Sequence, residues 1–496
     1  MRTFMDAGGV QRLKEYFRRI GDVLGEESRR GSFAIYAMGL LGDGERKSIE
    51  PIAARACPDP SKTDAMHQRL LHFAVNSRWS NREVRREAAR YALDTMTQRE
   101  PVEAWIIDDT GFLKQGKHSV GVQRQYTGSA GKITNCQIGV SLSIATRTEH
   151  LPIDFELYLP ESWANDTARR QEARIPEDVA FKTQPQLAVE MIGRAVADGV
   201  PKGVVLADSA YGTSGEFRAQ VRSLGLHYAV GVESQTIICL LDNEGRPRGE
   251  AVSVKDMALS IHERGGFRRS TWRSGTREDL WARFALRRVV AAGVPKDQQE
   301  PLWLLIEWCE GEPEPANYFL VSVPSRMSKK QLIRLVMQRW RTERVYEDLK
   351  GELGLDPYEG RRFPGWHHHV SVALCCYAFI IAERVRHFSP SVLPARRMPR
   401  QLAQKLLETH RAQVPARQGF GPRREVKAYV AHVARRGACA THGFQETAHG
   451  LRRDVHGGLL LELSCLLACP VALRVAQNNA SSASVSVSLR ASRWTV

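Results

Sequence analysis

Apolar residues recur at helical spacing through the first hundred positions, in VQRLKEYFRRI, FAIYAMGLL, AMHQRLLHFAV and REVRREAARYAL. Side chains three and four apart share one face of a helix, so each stretch predicts an amphipathic helix. Pro58-Asp59-Pro60 breaks the run into two halves. At Val102 the pattern changes. VEAWIIDDTGFLKQG is a short apolar run, then paired aspartates, then a turn. It predicts a buried strand carrying Asp108 and Asp109 at its C-terminal end. CQIGVSLSIAT and HLPIDFELYLP predict two more strands, and the short turns between them imply an antiparallel start. After the polar stretch ESWANDTARRQEARIPEDVAF comes an amphipathic helix, QPQLAVEMIGRAVADG, closed by Gly199. GVVLADSAYG then predicts a strand ending at Asp208, SGEFRAQVRSLG a helix, and HYAVGVE a further strand. Alternating helices and strands need crossover connections, so this half of the sheet is expected to be parallel.

From 236 to 325 the pattern is one of short strands and turns: TIICLL, FRRSTWRSG, WARFALRRVVAAG, PLWLLIEWCEG and ANYFLVSVP. It predicts a β-rich insertion. The stretch that follows, Ser328 to Gly354, has no proline and no glycine before Gly351. With Ser328 as N-cap it predicts one long helix. Arg339, Glu343 and Lys350 are spaced by four and seven, which places them on one face of such a helix. Next, LDPYEGRRFPGWHHHVSVALCCYAFIIAERVRH predicts a buried apolar helix. Its three consecutive histidines, His367 to His369, cannot all point one way, so they suit a polar helix start near phosphates better than a metal site. The expected divisions are a helical N-terminal domain at 1–98, an α/β core in two parts at 99–235 and 326–390, the insertion at 236–325, and a basic arm with a low-complexity tail at 391–496.

Composition narrows the partners. The 496 residues carry a formal net charge of +16, the electrostatic signature of a polyanion binder. Residues 390–453 alone hold thirteen Lys or Arg against three Asp or Glu, a local net of +10. No uninterrupted apolar run reaches the ~18 residues needed to span a bilayer, so no membrane partner is expected. The N-terminal segment lacks the apolar core of a signal peptide, and nine irregularly spaced cysteines suit a reducing compartment, so a cytoplasmic location is expected. The glycine-rich basic loop KHSVGVQRQYTGSAGK is not a P-loop, because Tyr126 and Ile133 stand where that motif needs Gly and Ser or Thr. It offers Lys117 and Arg124 as DNA contacts.

The acids point to the chemistry. Asp108 and Asp109 end one strand, Asp208 ends another, and Glu343 sits on the long helix. Sites in open α/β sheets gather at carboxyl strand ends. Carboxylates brought together repel unless a cation intervenes, and hard oxygen donors suit Mg²⁺, with Mn²⁺ as a substitute. Such ions activate water and stabilise the leaving oxygen of a phosphodiester. Lys114, Arg339 and Lys350, beside the acids, are expected to face phosphate.

These motifs resemble a family. IDDTG with Asp109, LADSAYG with Asp208, and RWRTERVYEDLK with Arg339, Glu343 and Lys350 are similar to the DDE insertion-sequence transposases, in the branch with a Tyr–Arg–Glu–Lys signature. Val336 stands at the tyrosine position. The resemblance covers about residues 20 to 385, including GLLGDGERKSIEPIA and DDTGFLKQGKHSVGVQRQYTG. It implies an RNase H-like mixed sheet with flanking helices, interrupted by the insertion before the glutamate helix. It also implies a metal-binding triad of Asp109, Asp208 and Glu343. Asp109 is preferred to Asp108, because alternate strand residues face opposite sides and only one can serve. The implied activity is metal-dependent cleavage at the ends of an insertion sequence and joining of the 3′-hydroxyl ends to target DNA. The implied partners are double-stranded DNA and a second copy of the chain on DNA, in a nucleoid-associated setting. The branch stacks a flipped base on an aromatic side chain, for which Trp303, Trp308 and Trp340 are the candidates. Two other readings stay open: an RNase H-like nuclease without strand transfer, and a decayed or domesticated copy that binds DNA without catalysis.

Overall fold

β1 (Val102–Leu113), the apolar run that ends in the paired aspartates, lies inside a twelve-stranded sheet. A computed structural model of the chain describes residues 8–42, 46–274, 279–294, 299–323 and 327–387. The other strands are β2 (Gln123–Thr127), β3 (Lys132–Thr146), β4 (His150–Leu157), β5 (Val204–Ala207), β6 (Tyr228–Val232), β7 (Ile237–Leu241), β8 (Pro247–Ser253), β9 (Arg268–Ser274), β10 (Asp279–Ala291), β11 (Leu302–Trp308) and β12 (Asn317–Val321). Their order is β2-β3-β1-β5-β6-β12-β11-β10-β7-β8, with β4 on β3 and β9 on β10. β1 pairs antiparallel with β3 and parallel with β5, and β5 pairs parallel with β6. The antiparallel and parallel halves therefore meet at β1, and the carboxyl end of β5 lies beside the middle of β1, next to the paired aspartates. Such a junction is where an open sheet leaves room for a site.

β1 and β3 are buried on both faces over most of their length, which explains why both read as nearly continuous apolar runs. The strands predicted in the 236–325 segment fall where the periodicity placed them. β12 pairs with β6, so they extend the same sheet instead of building a separate one. Sequence reading missed β8 and the Val254–Glu263 helix in this segment, and earlier in the chain β2, hidden in the glycine-rich basic loop.

Five α-helices precede β1: Gly9–Leu24, Glu27–Leu41, Ile49–Ala56, Thr63–Leu71 and Asn81–Thr97. The first, second and fifth pack on the Phe363–His387 helix. Tyr16 stacks on Phe379, with centroids 5.4 Å apart, and fully buried Glu383 takes Arg12 and Arg386 at 2.8 Å each. This last helix corrects two expectations. It is long and apolar enough to cross a bilayer, although no such segment was expected, but nearly all of it is buried against protein. Its three histidines do lie near the helix start, in the second turn, but they are buried core groups and not an exposed polar face. His368 stacks on Trp79 at 3.8 Å, and His369 bonds the Tyr36 hydroxyl at 2.7 Å and the Gly354 carbonyl at 2.9 Å. Burial pushes His368 and His369 down to about 4, so both are neutral.

The Ser328–Gly354 stretch is likewise corrected. It starts as expected, with Ser328 and Gln331 forming a reciprocal capping box. It is not one regular helix. The α-helix Lys329–Val336 tightens to 3₁₀ over Met337–Trp340, resumes as α over Arg341–Glu347, and widens to a π turn over Asp348–Glu352. Each change of pitch alters the rotation per residue, so spacings counted on a uniform helix no longer fix a common face. The basic arm and tail expected at 391–496 lie outside the described residues.

Candidate active site

Asp108 and Asp109 sit mid-strand and not at the C-terminal end expected, because β1 runs on through buried Thr110 to Phe112; strand alternation sends them to opposite faces. Asp108 is directly opposite Ser141 on β3, on the face covered by the 329–352 helical run. From that run Arg339 Nη1 reaches Asp108 Oδ2 at 3.3 Å, and the Tyr346 hydroxyl meets Ser141 Oγ at 2.6 Å. The Asp109 amide donates to Asp108 Oδ1 at 3.0 Å. Asp108 is only 8% exposed. Burial pushes its carboxyl up to about 7, Arg339 opposes this, and Asp208 and Asp109 add to it.

Asp109 is half-buried and looks the other way. The buried Tyr211 hydroxyl donates to its Oδ2 at 3.5 Å, and among the described residues no cation comes within ion-pairing distance. Burial and the nearby Asp208 push it up to about 6, with Tyr211 and Arg339 pulling the other way. Asp208 caps the short Ser209–Gly212 turn, its Oδ1 accepting the Ala210 amide at 3.0 Å. Gly231 on β6 is what lets that turn come so close, since a Cβ there would press on the Asp208 and Ser209 backbone. Three aspartates thus share one electrostatic neighbourhood with a single arginine.

Glu343 is not gathered in. It is exposed, although close enough to Arg339 to raise the guanidinium's pKa together with Asp108 and Asp208. Among the described residues no three His, Cys, Asp or Glu converge tightly enough to hold a metal ion. Arg339 and Lys350 do reach β1 from the helical run, and Glu343 lies in the turn between them.

The basic residues divide into tied and free. Lys114 donates to the Tyr358 carbonyl at 2.5 Å, and burial lowers its pKa. Lys350 donates to the Gly111 carbonyl at 2.5 Å and to Ser129 Oγ at 3.3 Å, 4.8 Å from the Phe112 ring, and burial lowers it too. Both were expected to face phosphate; here each donates to a backbone carbonyl beside the site. Arg339 is turned to the acids. Lys117 and Arg124 are exposed. Of the tryptophans, Trp308 is core, stacked on His262 at 4.1 Å with its Nε1 on the Glu312 carbonyl. Trp303 and Trp340 are half-buried under Arg288 and Arg273, at 4.8 and 3.4 Å. Sequence reading missed Tyr211 and Tyr346. Each follows a named acid by three residues, in DSAY and ERVY, but a tyrosine at that spacing carries no signal until the fold turns it inward.

The donor set is hard oxygen. Asp109 and Asp208 raise each other's energy without a cation between them, so the residues present fit a divalent ion on two carboxylates.

Comparison with known proteins agrees with this reading. Residues 19–279, more than half of the chain, match the family described as DDE superfamily endonuclease. That match contains Asp109 and Asp208 and stops before Glu343. A stretch of 214 residues is 28% identical to the probable transposase for insertion sequence element IS701 of Microchaete diplosiphon. It covers 43% of this chain and 51% of that relative, so the likeness spans about half of each.

Proposed function

We propose, from the premise that this chain belongs to the DDE superfamily of endonucleases, that it is an insertion-sequence transposase cutting DNA at the acid cluster on β1 and β5. The observation that carries this is the crowding of Asp108, Asp109 and Asp208 around one arginine, a charge imbalance that costs stability and persists where function needs it. Its place at the junction of the antiparallel and parallel strands supports an RNase H-like core. The relative's printed name supports transposition as the use to which cleavage is put.

In this reading Asp109 and Asp208 hold the divalent ion, Mg²⁺ or Mn²⁺, and Glu343 completes the set by turning its exposed carboxylate inward. Bound there, the ion supplies a Lewis acid that activates water and stabilises the leaving oxygen. Tyr211 fixes the Asp109 carboxylate by donating to Oδ2. Arg339 neutralises Asp108, so the second carboxylate of the pair need not compete for the ion. Lys350 and Ser129 brace the Gly111 carbonyl and so hold β1 just past the aspartates. DNA ends and target DNA are the substrates, bound as a dimer, with the helical N-terminal region as the end-recognition part.

The test is a strand-transfer assay in Mg²⁺ or Mn²⁺, using labelled DNA from the gene's flanks and a supercoiled target plasmid, with Glu343→Gln as control. Joined product that vanishes in the control supports the reading. Cleavage without joining leaves a nuclease, and binding alone leaves a non-catalytic copy; either result overturns it.

A further inference from the structure

The β2–β3 hairpin sits at the lip of the acid cluster and leaves one face unpacked. Its turn is pinned to β1 just beyond the aspartates. Ser129 Oγ meets Thr110 Oγ1 and the Gly111 amide, each at 3.3 Å, and Lys350 reaches the same hydroxyl from the helical run. Thr127, at the end of β2, is 1% exposed and lies directly over Gly111. A Cβ at 111 would overlap the Thr127 side chain, which is the physical reason a glycine follows Asp109-Thr110. One face of the hairpin is therefore closed.

The other face is open and apolar. Tyr126 and Ile133 are directly opposed cross-strand partners, so their side chains share a face. They are 55% and 61% exposed. They are two of the six large exposed hydrophobics among the described residues. Scattered exposed apolar residues need no explanation, but an aromatic–aliphatic pair raised beside a catalytic cluster does. Arg124, two residues from Tyr126 and so on the same face, is exposed, as are Lys117 and Lys132. Among the described residues none of the three forms an ion pair, although Glu172 lies 3.8 Å from the neighbouring His118.

We propose that this face of the hairpin is a single-strand DNA platform: an unpaired base stacks on Tyr126 and Ile133 while Arg124, on the same face, holds its backbone. An exposed aromatic ring flanked by uncompensated cations is what sequence-tolerant single-strand binding requires, because every base has a π-face and every linkage a phosphate. The proposal deepens the DNA-cutting reading by naming the form of DNA beside the acids, namely strand already separated from its complement.

Fluorescence anisotropy of the full chain with a labelled thymidine homo-oligonucleotide, and with a duplex of the same length, tests it in Ca²⁺ so that binding is read without turnover. Stacking of one base corresponds to roughly 5- to 100-fold in affinity. Tyr126→Ala should lose that much on the single strand and little on the duplex, and Tyr126→Trp should keep it. Arg124→Ala should lower the slope of log affinity on log salt by about 0.7 on the single strand. Tyr126 is exposed, so the alanine variant is expected to fold; an unchanged melting temperature checks this. Equal affinity of Tyr126→Ala and wild type for the single strand, or an equal loss on the duplex, overturns the platform. Because the assay needs no cleavage, the platform can fail while strand transfer stands, and the reverse.

Discussion

Two carboxylates in register across the sheet have opposite surroundings. Asp109 on β1 pairs with Val140 on β3, and Val140 pairs with Glu156 on β4, so both acids lie on the same face, about 10 Å apart. Glu156 takes Arg85 at 3.0 Å and Arg194 at 2.9 Å, and its neighbour Asp154 takes the same two arginines at 3.1 and 2.7 Å. Two acids and two guanidiniums close on themselves. Burial alone would push both carboxyls up; the arginines more than offset it at Asp154 and leave that carboxyl below its usual range, while Glu156 stays above its own, raised by burial and by Asp154. Asp109, two strands away, has a tyrosine hydroxyl and another acid. A balanced buried cluster holds helices to an edge strand; an unbalanced one is waiting for a cation.

The largest effect should separate the two clusters by the kind of damage they suffer. Asp208→Asn is expected to cost on the order of 10³-fold or more in cleavage, several kcal/mol of metal-derived stabilisation at ~1.4 kcal/mol per decade, with end binding intact. Arg85→Met should do the opposite. It leaves Asp154 and Glu156 short of a partner and should lower unfolding stability by about 3–5 kcal/mol, with activity lost only as folded protein is lost. Cleavage by Asp208→Asn in Mg²⁺ would remove the acid cluster from the chemistry.

Divalent ions should show the next largest difference. At an ion concentration about 100 times its dissociation constant, binding to the native state alone raises stability by about 2.7 kcal/mol. Calorimetry should register this shift in the wild type and lose it in Asp109→Asn and Asp208→Asn. Asp108→Asn should retain it, because Arg339 already occupies that carboxylate. If Asp108→Asn loses the shift and Asp109→Asn keeps it, the two aspartates exchange roles.

How much of this was legible beforehand follows from which interactions are local. The strands carrying Asp109 and Asp208 showed as apolar runs because both faces of the central sheet are buried, and burial is written in composition. The capping box at Ser328 is contained in four residues and was equally visible. What stayed hidden depends on residues far apart in the chain. The Ser328–Gly354 stretch reads as a uniform helix, and only packing against β1 reveals its tightened and widened turns. Lys114 and Lys350 look like phosphate ligands, yet they donate to carbonyls at Tyr358 and Gly111. The histidine run looks polar until Trp79, Tyr36 and Gly354 are placed around it.

The pH dependence of stability should carry opposite signs for Asp109 and for the buried histidines. The Asp109 pKa is raised in the folded state, to about 6, so the native protein binds more protons than the unfolded chain from about pH 4 upward. Stability from this group therefore falls as pH rises through about 6. His368 and His369, pushed down to about 4, work the other way: the unfolded chain takes up their protons first, so stability falls as pH drops below about 6.5. Asp109→Asn should be more stable than wild type by about 2 kcal/mol above pH 7 and equal to it near pH 4, as read by denaturant titration. A gap that does not change with pH would mean that the carboxylate is not destabilised in the fold.

The smallest effect concerns Arg339, which the sequence places on phosphate and the structure places on Asp108. A side chain that releases a counterion from DNA contributes about 0.9 to the slope of log affinity on log salt. Arg339 already has a buried anion and lies across the acid cluster, so Arg339→Ala should change that slope by less than half of this amount. Its cost should appear in stability, roughly 1–2 kcal/mol, since Asp108 loses its one cation. Protonation can recover part of that, because the Asp108 carboxyl is already pushed up to about 7, so the deficit should be smaller at pH 5 than at pH 8. Adding Asp108→Asn to Arg339→Ala should close most of the gap at pH 8, as a double-mutant cycle would measure. A slope that drops by a full unit in Arg339→Ala would instead mean that DNA draws the arginine off the aspartate, freeing Asp108 to join the ion-binding set.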